Sequence, residues 1–346
     1  GQYAPMKKVT VIFMLAVSLL VMAACQQNGG GLYFTSDRDG NTEIYQTVIG
    51  SGEEINITET GEDEFDAILS PDRQWIAFRV GDEESSSIDV LNLGSGSAPE
   101  RYTVSRGSGS FFTPVWSNDS KRIAFAGDIG NKGARVFITE ITESLPARLS
   151  DIEVTGVGDW SPDGESVVFS SETGSRLGIH VRNPDGVNQR QMTCGKDYDA
   201  VWSPDSKRLA FISEREGNPD IYVMERDAED ELCPNTKDSR KEVLRLSETD
   251  EAESDISWSP DSKQLLFVSE RDGNKEIYVM ESSGNKQSRL TFNEKADYSP
   301  VWSPDGRTIA FVSELDGDPD IFTMDVNGQN QTRITNNDSA DTDPRW

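Results

Sequence analysis

Histidine is nearly absent from this sequence: the 346 residues contain one, His180. A Ser-His-Asp triad needs a histidine to relay the proton, and histidine-based metal centres need several. No Gly-x-Ser-x-Gly motif, the usual setting of a hydrolase nucleophile, is present either. His180 stands in Gly-Ile-His-Val, where related segments carry Tyr222 or Tyr278. We therefore expect it to replace a strand aromatic, and we expect that the protein is not an enzyme.

Basic residues are also scarce. Lys and Arg total 33 against 61 Asp and Glu, a formal net charge of −28. Such a chain repels nucleic acid and anionic lipid surfaces. The composition excludes a nucleic-acid partner and favours cations or basic partners.

No apolar run is long enough to cross a bilayer, which takes about 20 residues. The longest, residues 9–23, follows Met6 and two lysines and has the length of a signal-peptide core. It ends in Met-Ala-Ala-Cys25, which resembles the lipobox of bacterial lipoproteins. The resemblance implies that residues 1–25 are a signal peptide, that Cys25 carries the lipid, and that the mature protein sits on the periplasmic side of the outer membrane. The alternative is an ordinary signal peptide with an incidental cysteine.

The rest of the chain is repetitive. Residues 200–225, 256–281 and 300–325 are three copies of one unit, and 67–80, 114–127 and 158–171 are degenerate copies. Each unit contains a Ser-Pro-Asp or related turn, and successive turns are 42 to 56 residues apart. A period of this size with several strands per unit is typical of a β-propeller. Each unit predicts four strands joined by tight turns.

The two ends of the repetitive region complement each other. Residues 32–45 form a predicted hairpin that lacks a first strand, and residues 341–346 form a first strand that lacks a continuation. The sequence therefore predicts an all-β, seven-bladed propeller of four-stranded blades over 32–346, closed by pairing the C-terminal strand with the first blade. Residues 26–31 are a short linker. Six tryptophans recur at the end of the first strand, where we expect them to pack between blades: Trp116, Trp160, Trp202, Trp258, Trp302 and Trp346.

The unit Trp-Ser-Pro-Asp-Gly, Ile-Ala-Phe-x-Ser, Asp-Gly-Asn, Ile-Tyr-x-Met and Arg-Leu-Thr resembles the propeller repeat of the TolB family, also called PD40 or WD40-like. The resemblance spans residues 32–346. It implies a propeller that binds a partner, since family members include a periplasmic protein that contacts a peptidoglycan-associated lipoprotein. Other members are the propeller halves of prolyl peptidases, and oligogalacturonate lyases share the repeat but use several histidines. The seven repeats, against six in TolB, and the lipidation signal leave a Tol-Pal role open.

Two features bear on metals and disulfides. Asp37, Asp39 and Asn41, like Asp272 and Asn274, place oxygen ligands at alternate positions, as calcium prefers, although Asp-Gly-Asn is also an ordinary hairpin turn. We expect that no cofactor is required, with calcium as the one candidate. Cys194 and Cys233 remain after lipidation. An oxidising compartment permits their pairing, which the sequence leaves open.

Charge is distributed unevenly between the predicted loops. The loops that lead into each first strand contain twenty acidic and three basic residues, whereas the Ser-Pro-Asp turns contain seven of each. We therefore predict an acidic partner-binding face around Glu62, Asp63, Glu64, Glu251 and Glu253. The favoured function is a monomeric envelope lipoprotein that binds a protein, peptide or glycan. The alternatives are a carboxylate-based glycan-active enzyme and a metal-stabilised structural scaffold.

Overall fold

The computed structural model describes residues 31–94, 100–105, 107–141, 146–228 and 243–346. These residues form seven four-stranded antiparallel sheets, the blades of a β-propeller. Both the all-β class and the blade count predicted from the repeats are confirmed. Blades are numbered 1 to 7 from the N-terminus, and the strands of each blade are called A to D from the innermost to the outermost.

The A strands of blades 1 to 7 are β28 (Asp341–Arg345), β4 (Glu64–Leu69), β8 (Gly109–Trp116), β12 (Gly156–Trp160), β16 (Asp197–Trp202), β20 (Glu253–Trp258) and β24 (Asp297–Trp302). The B strands are β1 (Gly31–Ser36), β5 (Trp75–Gly81), β9 (Arg122–Ile129), β13 (Val167–Ser171), β17 (Arg208–Ser213), β21 (Gln264–Ser269) and β25 (Thr308–Ser313).

The C strands are β2 (Glu43–Val48), β6 (Ser86–Asn92), β10 (Arg135–Glu140), β14 (Gly178–Arg182), β18 (Asp220–Glu225), β22 (Glu276–Glu281) and β26 (Asp320–Asp325). The D strands are β3 (Glu54–Asn56), β7 (Arg101–Thr103), β11 (Ala147–Arg148), β15 (Arg190–Gln191), β19 (Val243–Arg245), β23 (Ser288–Arg289) and β27 (Thr332–Arg333).

The ring closes as the sequence predicts. The C-terminal strand β28 pairs antiparallel with β1, with Ser36 opposite Asp341 and Tyr33 opposite Arg345. The A strands contact one another in order around the ring, and β28 also contacts β4 of blade 2. The A strands therefore line a central channel, and pairing of the last strand with the first blade supplies the innermost strand that blade 1 would otherwise lack.

The repeated Ser-Pro-Asp turn explains why each A–B hairpin forms and how blades are joined. In blade 5 the Ser203 hydroxyl donates to the Asp205 carboxylate at 2.6 Å, and the backbone N–H of Arg208 donates to Ser203 Oγ at 2.9 Å. The N–H of Asp205 in turn donates to Ser262 Oγ of blade 6 at 3.0 Å. Equivalent bonds run from Asp72 to Ser120 and from Asp163 to Ser206.

The core lies between blades. Each hydrophobic cluster combines residues from two adjacent blades, and the central B-strand phenylalanines are fully buried. Indole N–H groups reach backward across the blade interface, from Trp258 to the carbonyl of Val201 at 3.2 Å and from Trp302 to that of Ser257 at 3.3 Å. The predicted role of these tryptophans is confirmed.

His180 occupies the aromatic position of β14. Its ring stacks on Phe169 with centroids 5.7 Å apart, as Tyr222 stacks on Phe211 at 5.8 Å. Its Nε2 lies 2.7 Å from the carbonyl oxygen of Arg176, and burial lowers the pKa of the imidazole. The prediction that it replaces a strand aromatic is confirmed.

Several predictions fall outside the described residues. These are the signal segment with Cys25, the insertion at 228–241 beyond Ala228, and Cys233. Cys194 is disulfide-bonded. The described part of the chain contains no helix that is long and apolar enough to span a membrane.

Candidate binding face and central channel

Because each blade is antiparallel, its B–C loop lies at the same end as the D–A loop that leads into the next blade. We call this end the top face and the end with the Ser-Pro-Asp turns the bottom face. Of the five acids predicted to form a binding site on the top face, Glu62, Asp63 and Glu251 are exposed. Glu64 and Glu253 are only 0% and 1% exposed, because each is the first residue of an A strand and points into the blade. Three of the five residues predicted to form the binding face are therefore exposed to solvent, and two are buried.

In three blades the buried A-strand acid is held by an arginine from the B–C loop. Arg215 donates to Asp197 at 3.0 Å while its guanidinium lies 4.6 Å from the ring centre of Tyr222. Such a pair combines a charge-assisted hydrogen bond with a cation–π contact. The same arrangement joins Arg271 to Glu253 and Tyr278 in blade 6, and Arg38 to Asp341 and Tyr45 in blade 1.

A second set of buried acids begins the C strands. Asp220 accepts from Arg245 of the D strand at 2.6 Å and from the hydroxyl of Ser247 at 3.1 Å. In blade 6, Glu276 accepts from Arg289 and Thr291 in the same way. Sequence reasoning counted the A-strand acids Asp197, Glu253 and Asp341 as surface charge of the top loops. The sequence signal that could have distinguished these buried acids from exposed ones is the recurrence of an arginine two residues after the B-strand serine and of another arginine in the D strand.

The channel carries its own acids. Each A strand contains a β-bulge near its middle, and in four blades the extra residue is an aspartate with φ between 50° and 55°: Asp66, Asp199, Asp255 and Asp343. Asp199 is exposed to the channel, yet desolvation by the surrounding A strands raises the pKa of its carboxyl group, and the Asp255 carboxylate of the next blade raises it further. Burial also raises the pKa of Asp66, where Arg79 opposes the effect and Asp343 adds to it.

Some bulge side chains are engaged within the ring. Asp255 accepts the N–H of Ser299 in the next blade at 2.9 Å, and Thr113 accepts that of Val157 at 3.0 Å. Asp159 accepts two backbone N–H groups, from Trp160 at 2.7 Å and Trp202 at 2.9 Å. Burial nevertheless raises the pKa of Asp159 to about 7. The channel is thus lined by carboxylates, some of which accept backbone N–H groups from the next blade.

Two tyrosines stand beside these aspartates. Tyr198 and Tyr298 each precede a bulge residue and are half-buried. Burial, with a further contribution from neighbouring carboxylates, raises the pKa of both phenol groups to about 12. Their phenol groups therefore stay neutral. Lys275 lies over the Tyr298 ring at 5.9 Å. Carboxylates beside aromatic rings form an environment suited to cationic groups.

The residues predicted to bind calcium have protein partners. Asp39 and Asp272 each accept the phenol hydroxyl of a tyrosine in the following C strand. Asp37 accepts the N–H of Ala340 at 3.0 Å. Asn41 and Asn274 turn their amide groups toward backbone carbonyls of the adjacent D–A loop. Among the described residues, no group of three or more His, Cys, Asp or Glu side chains is placed to hold a metal ion.

The bottom face contains a cavity of about 530 Å³ beside blades 4 and 5. Its polar groups serve the fold: Arg226 pairs with Asp163 and with Glu165, and Asp205 accepts the hydrogen bonds of its own turn. The candidate binding surface is therefore the top face together with the channel.

Fold and site together define a ring-closed, seven-bladed β-propeller with an acidic top face and channel. A family model of the TolB β-propeller domain (PD40) matches residues 99–240 and 235–346. The chain belongs to this family.

Relatives agree with that assignment. The chain is 28% identical over 57% of its length to a TolB homologue of Chlorobium luteolum, and 27% identical over 43% to the Tol-Pal system protein TolB of Ruthia magnifica. It spans about a third of the length of these curated relatives. Among solved structures, the oligogalacturonate lyase of Vibrio parahaemolyticus superimposes with a TM-score of 0.67 at 18% identity over 87% of each chain. At this identity the likeness shows the fold alone.

Proposed function

We propose that the protein is a binding module of the bacterial cell envelope that receives a basic protein segment or peptide on its acidic top face. The observation that carries the proposal is the continuity of exposed acids from the D–A loops to the channel. Glu62, Asp63 and Glu251 lie exposed on the loops, and Asp199 and Asp255 lie exposed at the A-strand bulges. A concave acidic surface concentrates cationic partners and increases their rate of association.

The envelope location is supported by the similarity to the Tol-Pal system protein TolB of Ruthia magnifica. In this proposal Cys25 carries the lipid and β1, which starts at the bottom face, follows the anchor after a short linker. The neutral bottom face then lies toward the membrane and the acidic top face points away from it. Incorporation of a palmitate analogue by the parent but not by Cys25→Ser tests the anchor, and equal labelling of both would exclude it.

Binding without catalysis is part of the proposal. The one histidine is stacked on Phe169 and is 0% exposed. The buried acids at the top are held mainly by arginine and hydroxyl groups, which suits a rigid platform for recognition more than proton transfer. Likeness to a lyase and to peptidases in fold does not assign their chemistry to this chain.

The test compares two sets of charge-neutralising substitutions. The top-face variant carries Glu62→Gln, Asp63→Asn and Glu251→Gln. The control carries Glu53→Gln, Glu225→Gln and Asp227→Asn, three exposed acids of the bottom face. Binding of an oligolysine peptide and capture of partners from solubilised envelope are measured at low and physiological salt. We expect roughly tenfold weaker binding for the top-face variant only, with the parent weakening as salt screens exposed charges. Equal binding by both variants would exclude the top face.

A further inference from the structure

The B–C loops of blades 1, 5, 6 and 7 follow the same residue pattern at the top face. Blade 7 differs from the other three in one polar residue. After the B-strand serine, blades 1, 5 and 6 carry a Gly-Asn pair, ending at Asn41, Asn218 and Asn274, whereas blade 7 carries Gly-Asp with Asp318. Blades 5 and 7 match most closely, since Gly217-Asn218-Pro219-Asp220 aligns with Gly317-Asp318-Pro319-Asp320.

The asparagine has a defined role in its own blades. In blade 5, Nδ2 of Asn218 donates to the carbonyl oxygens of Thr249 at 3.0 Å and Glu251 at 3.1 Å. In blade 6, Asn274 donates likewise to the carbonyls of Asn293 and Lys295. The amide therefore satisfies two backbone acceptors of the D–A loop.

Blade 7 keeps the backbone frame that brings these carbonyls together. The N–H of Asp341 donates to the carbonyl of Pro319 at 2.8 Å, as that of Glu253 donates to Pro219 at 2.9 Å. By this correspondence the carbonyls of Asn337 and Ser339 take the places of those of Thr249 and Glu251. A carboxylate, which only accepts, then faces two further acceptors.

In the described part of the chain, the carboxylate of Asp318 lacks a hydrogen-bond donor on one of its two oxygens. Its Oδ2 is buried and has no hydrogen-bond partner among the described residues. Arg333 of the D strand directs its terminal nitrogens to Asp316, at 2.9 Å, and to Asp320, and does not bond to Asp318. A buried acceptor left without a donor is costly, so the arrangement calls for a positive charge between the oxygens.

We propose that blade 7 binds a hard cation, with calcium as the natural one, between the Asp318 carboxylate and the backbone carbonyls of Asn337 and Ser339. Carboxylate and carbonyl oxygens with water completing the shell are the ligands calcium prefers, and its flexible geometry suits a loop site better than the strict octahedron of magnesium. Asp318 is only half-buried as a residue, so water reaches the site. The ion would tie the B–C loop of blade 7 to the loop that leads into β28, the strand that closes the ring.

The experiment uses the full chain and a reciprocal pair of substitutions. Asp318→Asn gives blade 7 the blade 5 arrangement, and Asn218→Asp gives blade 5 that of blade 7. Thermal unfolding is followed in EDTA and in millimolar Ca²⁺. We expect Ca²⁺ to raise the Tm of the parent by roughly 2–4 °C, because a ligand that binds only the folded state stabilises it. Asp318→Asn should lose this response and melt higher than the parent in EDTA. Asn218→Asp should melt lower in EDTA and show a larger response to Ca²⁺ than the parent.

The pair separates a specific site from general binding of Ca²⁺ to an acidic surface, which all three proteins share. Equal Ca²⁺ responses in the parent and in Asp318→Asn would overturn the proposal. So would a parent whose Tm does not change when Ca²⁺ replaces EDTA. Neither result bears on the top-face variant above, which leaves Asp318 intact.

Discussion

The two ends of the propeller are built from the same repeat, yet their polar groups have different neighbours. At the bottom face, the Ser-Pro-Asp turns bond to themselves and to the next blade, as Asp205 does to Ser262. At the top face, the loops differ from blade to blade, and exposed acids such as Glu62 and Glu251 accompany buried, paired ones. This difference indicates that the repeated turns hold adjacent blades together, whereas the variable top loops present exposed acidic side chains that other molecules can contact.

The largest loss of stability should come from deleting the C-terminal strand β28, which runs from the top face to the bottom face and closes the ring. Deleting residues 341–346 removes β28, the inner strand of blade 1, together with Trp346, whose indole N–H lies 3.4 Å from the carbonyl of Val301. Loss of this half-buried tryptophan, together with the newly exposed edge of β1, should cost roughly 3–5 kcal/mol. We expect the truncated protein to unfold at much lower urea concentration. Parent-like unfolding would mean that ring closure contributes little.

A smaller loss of stability should follow from a substitution at the bottom face, and none from the substitutions at the top face. Ser262→Ala removes the acceptor of the Asp205 N–H, a partly buried hydrogen bond that joins blades 5 and 6. We expect a loss of roughly 0.5–1.5 kcal/mol in the free energy of unfolding. The top-face variant at Glu62, Asp63 and Glu251 serves as the control and should unfold like the parent. If that variant lost as much stability as Ser262→Ala, the proposed division of labour between the two faces would be wrong.

The smallest effect concerns one buried acid of the top face. Blade 7 has Leu315 where blades 5 and 6 have Arg215 and Arg271, and Oδ1 of Asp297 is left without a partner. Burial raises the pKa of Asp297 to about 6, although hydrogen bonds from neighbouring side chains oppose the shift. The folded state therefore holds this proton more firmly than the unfolded chain, whose carboxyl group titrates near 3.9.

The stability that this proton confers is present at low pH and is lost as the pH rises through about 6. Asp297→Asn removes the cost of the buried charge. We expect the variant to have a higher Tm than the parent at pH 8, with the difference shrinking toward pH 5. Thermal unfolding across this range measures it. A difference that stays constant with pH would show that Asp297 does not change its charge there.

Much of the fold was predictable because its causes are local and repeated. The alternation of Ile-Ala-Phe-Val-Ser, the turn chemistry of Ser-Pro-Asp and the six recurring tryptophans each predict the structure of one unit, and seven units predict the ring. The missing strand at residues 32–45 and the spare strand at 341–346 predicted its closure. The candidate site was less predictable. Loop charge indicated an acidic top face but could not separate Glu62 from Glu64, two residues away.

The sequence by itself determined the number of blades, the order of the strands, the core aromatics and the sign of the charge. Periodicity and turn preference act over a few residues, so they are legible without coordinates. Only the tertiary structure decided which acids meet an arginine and which line the channel. It also decided that Oδ2 of Asp318 is buried without a partner among the described residues, where the amide of Asn218 donates to two backbone carbonyls. These outcomes depend on how the D–A loop of one blade docks on the B–C loop of its neighbour, and no local pattern encodes that contact.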